Sequence, residues 1–414
     1  MKKIIAMLLC LLMVLSLVAC GAKEEPAADS KAPEAPAAEG PAEDTKAEEP
    51  AEESSDAAEG EPYKVGFFAP LSGGNAEYGQ QNLNSVQLYA KLLNEKGGWF
   101  GRPVEIIPYD DQGDPTTSLA VVTKLIKEDK VDAICGTQQS ACLIGCIETI
   151  QAAGVPVFTG GTSNSFASAP YIYRTTVSTD YSTEPILRWM SENGYATVGI
   201  FYQDDDASVT AADAFAAFAE KYGVEVVARE VCSGEDTDYT GQYVNLVAAE
   251  PDGIFFATNG TQMTQFLKQI RDNGYEGYCF NKEAIQMFTI EVAGDATNNV
   301  AFAWPCCTFA AVEDAPEGTE LRRMLELYYK EYGKMPTSDC AFRGWDAMLM
   351  LDAAVNLAGE YTKEAVAQAL YDLGPVEGCA GMYDFSEGEL CADGIQNIED
   401  LWYIEDGTYY KLVA

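Results

Sequence analysis

Groups that move protons or hold charge are unevenly represented in this sequence. Acids dominate, with 65 Asp and Glu against 26 Lys and Arg, and histidine is absent. The carboxylate clusters Asp110-Asp111 and Asp204-Asp205-Asp206 have the side chains that acid/base chemistry needs. In so acidic a chain, however, such clusters arise by composition on solvated loops. Without histidine there is no Ser-His-Asp or Cys-His nucleophile pair and no imidazole metal ligand. No P-loop, GxGxxG or GxSxG motif occurs. The 12 cysteines include no CxxC pair, so a cysteine zinc site is not expected. Cys142 and Cys146 stand one helical turn apart and Cys306 and Cys307 are adjacent, but the spacings give no compact disulfide framework. Free, buried thiols are favoured. The chain reads as a binder rather than an enzyme, with no metal and no cofactor.

The elements that position these residues alternate regularly. Lys64–Ala69 reads as a strand. Gln80–Lys96 reads as a helix, with Leu83, Val86, Ala90 and Leu93 at helical spacing and Gly97-Gly98 ending it. Strand Val104–Tyr109 leads to Asp114-Pro115, a cap followed by proline at the first helical position. Strand Val131–Cys135, a helix near Ala141–Ala153 and strand Pro156–Thr159 continue the series. A second series runs through strands Thr197–Tyr202, Val224–Val231, Gly253–Ala257, Gly277–Phe280 and Val300–Trp304. Its helices are Thr183–Asn193, Ala211–Tyr222, Tyr239–Ala249 and Gln262–Asn273. Beyond Thr308 the pattern is helical over Gly318–Tyr332, Cys340–Ala358 and Thr362–Asp372. Leu401–Glu405 and Tyr409–Val413 then form a hairpin across Asp406-Gly407. Two runs of βα units predict an α/β protein of two doubly wound parallel-sheet lobes, with crevices at the carboxyl ends of the strands.

The first 61 residues differ from the rest. Lys2 and Lys3 precede an apolar run, Ile4 to Ala19, of 16 residues, short of the roughly 20 that a spanning helix requires. Residues 1–19 are therefore expected to be a signal peptide. Leu17-Val18-Ala19-Cys20 matches the bacterial lipobox, and that resemblance makes Cys20 the site of lipidation. Residues 21–61 hold 12 Ala, 14 Asp or Glu and 5 Pro, with no aromatic or branched aliphatic side chain. Nothing there offsets chain entropy, so 20–61 reads as a lipidated cysteine and an unfolded tether. From Pro62 onward, 21 Lys and Arg face 51 Asp and Glu, a net charge of −30. Such a surface excludes nucleic acid as a partner.

The order of several short stretches resembles the Leu/Ile/Val-binding family of type I periplasmic binding proteins. They are Lys64-Val65-Gly66, Pro70-Leu71-Ser72-Gly73, Glu77-Tyr78-Gly79, Tyr109-Asp110-Asp111, Gly154-Val155-Pro156 and Arg174-Thr175-Thr176. The resemblance covers residues 63 to 400 and implies a three-crossover hinge near 180, 306 and 385. The lobes would then be 62–179 plus 307–384 and 180–306 plus 385–414. It also implies that Ser140 and backbone amides of Gly136-Thr137-Gln138-Gln139-Ser140 hold a ligand carboxylate. The loop Gly160-Gly161-Thr162-Ser163 would add a carbonyl near Gly161 and the Ser163 hydroxyl, and Glu283 would hold an ammonium. Unsatisfied N–H groups at a helix start favour a carboxylate, although Ser140 also suits a plain helix cap. Tyr78 matches the family's first-lobe aromatic. Two aromatic positions instead carry Ala207 and Asn259, and with Gln138 and Gln139 they suggest a pocket more polar than one for leucine or valine. Trp304 suits either a pocket wall or the core.

The resemblance implies an importer's substrate-binding lipoprotein. It would be a monomer tethered to the membrane by lipid and facing outside the cell. It would deliver a small amino-acid-like ligand to an ABC permease and its ATPase subunits. The competing expectation is a surface sensor for amino acids or related amides built on the same fold.

Overall fold

The computed structural model describes residues 61–166, 168–177, 179–304, 309–386 and 401–412. The signal peptide, Cys20 and tether residues 21–60 lie outside the described residues, as does the crossing point expected near 306.

The first sheet begins with β1 (Tyr63–Ala69), whose last five residues are all buried. A near-continuous apolar run of this kind marks a parallel strand covered on both faces. It feeds α1 (Ala76–Glu95), followed by β2 (Val104–Asp110). The next helix, α2 (Pro115–Lys124), starts as its sequence requires. Asp114 accepts the Thr117 N–H at 2.7 Å, and Pro115 occupies the first turn, where no donor is needed. Next come β3 (Ala133–Gly136), α3 (Ser140–Ile144), α4 (Ile147–Ala153), β4 (Val157–Thr159) and β5 (Ile172–Arg174). The single helix expected over 141–153 is thus broken, with Gly145 closing its first segment. All five strands are parallel, in the order β2-β1-β3-β4-β5.

The chain then enters α5 (Thr179–Glu192) and a second sheet. Its units are β6 (Thr197–Gln203), α6 (Asp206–Ala219), β7 (Glu225–Cys232), α7 (Thr240–Ala248) and β8 (Gly253–Ala257). They continue through α8 (Gly260–Asp272), β9 (Cys279–Asn281), α9 (Met287–Ala293) and β10 (Val300–Ala303). Three helices return to the first lobe: α10 (Glu320–Tyr332), α11 (Cys340–Ala358), which packs along α1, and α12 (Lys363–Asp372). A short antiparallel pair, β11 (Val376–Glu377) and β12 (Met382–Tyr383), follows. The chain crosses once more to the hairpin β13 (Leu401–Glu405) and β14 (Thr408–Leu412), which extends the second sheet antiparallel to β10. The order is β14-β13-β10-β9-β8-β6-β7.

Three crossings therefore join two doubly wound sheets: between β5 and β6, between β10 and α10, and between β12 and β13. Each lobe is held by stacked aromatics and aliphatics. In the second lobe, Phe201–Phe266 and Phe215–Phe255 stack at 3.9 Å centroid separation. All seven cysteines among the described residues are buried, and Cys135, Cys142, Cys146, Cys232, Cys279 and Cys340 are free thiols. None of the described helices is long and apolar enough to cross a membrane.

Candidate functional site

Strand order reverses beside β1 and β3 in one sheet and beside β6 and β8 in the other. At such a point neighbouring loops diverge and leave a crevice at the carboxyl ends of the strands. A cavity of about 190 Å³ lies there. Asn75 and Tyr78 reach it from the segment after β1, and Gln138, Gln139, Ser140 and Ala141 from that after β3. Thr162 follows β4. Gln203, Asp205 and Ala207 come from the end of β6, Asn259 and Gln262 follow β8, and Lys282 and Glu283 follow β9. Arg343 enters from α11. A cavity of this size, below the roughly 300–1,000 Å³ of drug-sized sites, suits a small ligand.

Ser140 opens α3 without capping it. Gln139 is the cap residue, and its side chain makes no capping bond. The Ser140 hydroxyl instead accepts the backbone N–H groups of Thr162 and Ser163, each at 3.1 Å. Both bonds use oxygen lone pairs, so its one proton remains available to an acceptor.

The structure brings together Tyr78, Gln138, Gln139, Ser140, Thr162, Asn259 and Glu283 from the sequence-derived set. Gly161 and Ser163 do not line the cavity. The Gly161 amide donates to Thr159 Oγ1 at 3.1 Å, and the Ser163 hydroxyl bonds Asp206 at the start of α6. Ser165 Oγ joins the same carboxylate at 2.8 and 3.0 Å. Ser163 and Ser165 thus tie the β4 loop to Asp206 of the second lobe. Trp304 is buried, and its Nε1 donates to Asp339 Oδ2 at 2.8 Å, which makes it a core residue.

Buried charge dominates the second-lobe side. Glu283 is only 6% exposed; Lys282 Nζ lies 3.3 Å from its Oε1, and Arg343 Nη2 lies 3.6 Å from its Oε2. Burial pushes the Glu283 pKa up, but the Lys282 and Arg343 charges outweigh burial and hold it below the ordinary carboxylate range. Arg343 is fixed chiefly by Asp339, through Nη2 and Nε at 2.6 and 3.0 Å, and donates from Nη1 to the Gly160 carbonyl at 2.8 Å. Asp205 caps α6 by accepting from Ser208 N at 3.0 Å and receives Asn259 Nδ2 at 3.3 Å. Burial raises its pKa against the pull of Lys282. Ala207 lines the cavity with a methyl group at a position where the family resemblance places an aromatic. Tyr78 packs edge-on against Phe288 at 5.1 Å, and its hydroxyl makes no hydrogen bond of normal geometry.

Sequence reasoning missed Lys282, Arg343, Asp205, Asn75, Gln203 and Gln262. Lysine and arginine are seldom fully buried unless paired, so residue type alone gave Lys282 no weight. Arg343 did carry a signal: with Asp346 and Asp352 it is one of few charges in the apolar stretch Cys340–Ala358.

Residues 62–401 match the model of the periplasmic binding protein family, and the chain belongs to that family. Leu/Ile/Val-binding protein homolog 6 of Brucella melitensis biotype 1 is 25% identical over 86% of this chain and 92% of its own length. The leucine-, isoleucine-, valine-, threonine- and alanine-binding protein of Pseudomonas aeruginosa is 23% identical over 74% of this chain and 81% of its own. Among solved structures, the branched-chain amino acid transporter substrate-binding protein of Streptococcus pneumoniae, in complex with isoleucine, superposes with a TM-score of 0.73. It shares 20% identity and covers 85% of this chain and 99% of its own. A solute-binding protein of Rhodopseudomonas palustris in complex with benzoate gives 0.71, at 20% identity, covering 85% and 95% of the two chains. The fold is that of a type I periplasmic binding protein, and the relatives lie in the Leu/Ile/Val-binding branch. The family binds ligands outside the cytoplasm and is not enzymatic.

Proposed function

We propose that this chain is the substrate-binding lipoprotein of an ABC importer. It captures an α-amino acid between lobes 62–179 plus 307–384 and 180–306 plus 385–414, as a monomer, and delivers it to a permease and its ATPase. The observation that carries the reading is the opposition of Ser140, with a proton to give, and Glu283, an ionised buried carboxylate, across one cavity. A ligand carboxylate takes the Ser140 proton and the backbone amides beside it. A ligand ammonium takes Glu283, a charge-assisted bond of the stronger kind. Asp205, Glu283 and Asp339 outnumber Lys282 and Arg343 by three carboxylates to two cations, which favours a ligand that brings an ammonium to this side.

Lipidation at Cys20 and the 21–61 tether would hold the domain at the outer face of the membrane. A thermal-shift screen of the twenty amino acids against the purified protein tests the reading. Ligand at 100 times its Kd adds about 2.7 kcal/mol of stability, a clear rise in melting temperature. No shift with any amino acid contradicts it.

A further inference from the structure

The same cavity restricts the ligand's side chain, an inference that rests on the amino-acid reading above. Both amide atoms of Gln138 are buried without a hydrogen-bond partner, as are the side-chain oxygens of Asn75 and Gln203. All three residues line the cavity. Lys282 is 1% exposed, and among the described residues its ammonium makes one hydrogen bond, at 3.3 Å to Glu283, of the three it can donate. These groups are costly to close around unless a ligand pairs with them.

An apolar side chain such as leucine's leaves every one of them unpaired. A carboxylate offers acceptors only. It can pair with Lys282 and Gln138 Nε2, but it leaves the oxygens of Asn75, Gln138 and Gln203 without donors and adds negative charge beside Glu283 and Asp205. A cationic side chain supplies donors but no acceptor for Lys282 or Gln138 Nε2, and once the ligand's ammonium has balanced three carboxylates against three cations it adds an unpaired positive charge. A carboxamide is neutral, supplies two N–H donors and one carbonyl, and is complementary to the amide of Gln138 itself. We propose that this site selects an α-amino acid with a side-chain carboxamide, glutamine or asparagine, and that Gln138 determines the specificity. Gly160 makes room for that arrangement. A Cβ there would lie 1.8 Å from Gln138 Oε1 and 2.8 Å from Arg343 Cδ, so any side chain would displace both.

Isothermal calorimetry on the full-length chain in detergent, with L-glutamine, L-asparagine, L-glutamate, L-leucine and L-arginine, tests the proposal. Each buried polar group left unpaired lowers affinity about 5- to 150-fold. Glutamine or asparagine should therefore bind at least about tenfold tighter than the other three. Gln138→Met, of similar shape, should erase most of that margin by weakening the carboxamide ligand and not leucine. Should the variant prove unstable, the wild-type ranking alone decides. Leucine, glutamate or arginine binding as tightly as the amides overturns the inference and leaves the amino-acid reading standing. A folded protein that binds none of the twenty amino acids overturns both.

Discussion

Glu283→Ala should destabilise the protein even before any ligand is added. Arg343 keeps Asp339 at 2.6 and 3.0 Å, so the loss falls on Lys282, which is 1% exposed and has no other hydrogen-bonded partner among the described residues. Removing one member of a buried ion pair costs about 3–5 kcal/mol, because the other charge stays buried and uncompensated. At roughly 2–4 °C per kcal/mol, taken from domains of 150–250 residues, the melting temperature should fall by about 6–20 °C. Differential scanning calorimetry on wild type, Glu283→Ala and the double variant Lys282→Met/Glu283→Gln measures this. The double variant removes both charges at similar volume and should recover most of the loss. A single variant melting within about 2 °C of wild type, or a double variant no better than the single, would refute the reasoning. The pH dependence has a definite sign. Because the folded carboxylate titrates below its ordinary value, its contribution is present above about pH 4.5 and is lost as pH falls through the lower folded pKa.

Three further outcomes follow. Asp346, buried on α11 and accepting from Cys379 N, Ala380 N and Tyr383 Oη at 2.8, 3.3 and 2.7 Å, is pushed by burial up to about 6. A raised folded pKa gives stability that is full below about pH 4 and lost through about pH 6, by an amount on the order of 3 kcal/mol. Asp346→Asn should flatten that window in thermal melts taken from pH 4 to 7; an unchanged slope counts against the assignment. Ser140→Ala should weaken amino-acid binding by calorimetry by about 1.5–3 kcal/mol, the worth of a hydrogen bond to a charged group, and a variant binding at wild-type affinity would remove Ser140 from the site. Cys20→Ser should release the protein from membranes into the medium in a fractionation assay, whereas retention on the membrane after signal removal would contradict lipid anchoring.

The alternation of strands and helices was legible in the sequence because parallel strands are buried on both faces and helices on one. Gly253–Ala257 and Cys340–Ala358 were read to the residue. Two short elements were missed: β5 has three residues and α9 seven, and neither length carries a period. Helix 141–153 was read as continuous because its apolar spacing persists through Gly145. In the site, Ser140, Tyr78 and Glu283 were visible through a local motif context. Lys282 and Arg343 were not: Lys282 pairs with its neighbour Glu283 and Arg343 with Asp339 four residues away, but the burial of these pairs, and the approach of Glu283 to Arg343 sixty residues on, is set by folding.

The central claim is that one cavity holds both charges of an α-amino acid. The most direct measurement is calorimetry with the amino acid that binds tightest, its deaminated acid and its decarboxylated amine. Removing one partner of a desolvated charge pair costs about 2–5 kcal/mol, so each analogue should lose roughly 30-fold or more in affinity. A deaminated acid or a decarboxylated amine that binds as tightly as the amino acid itself would contradict the account.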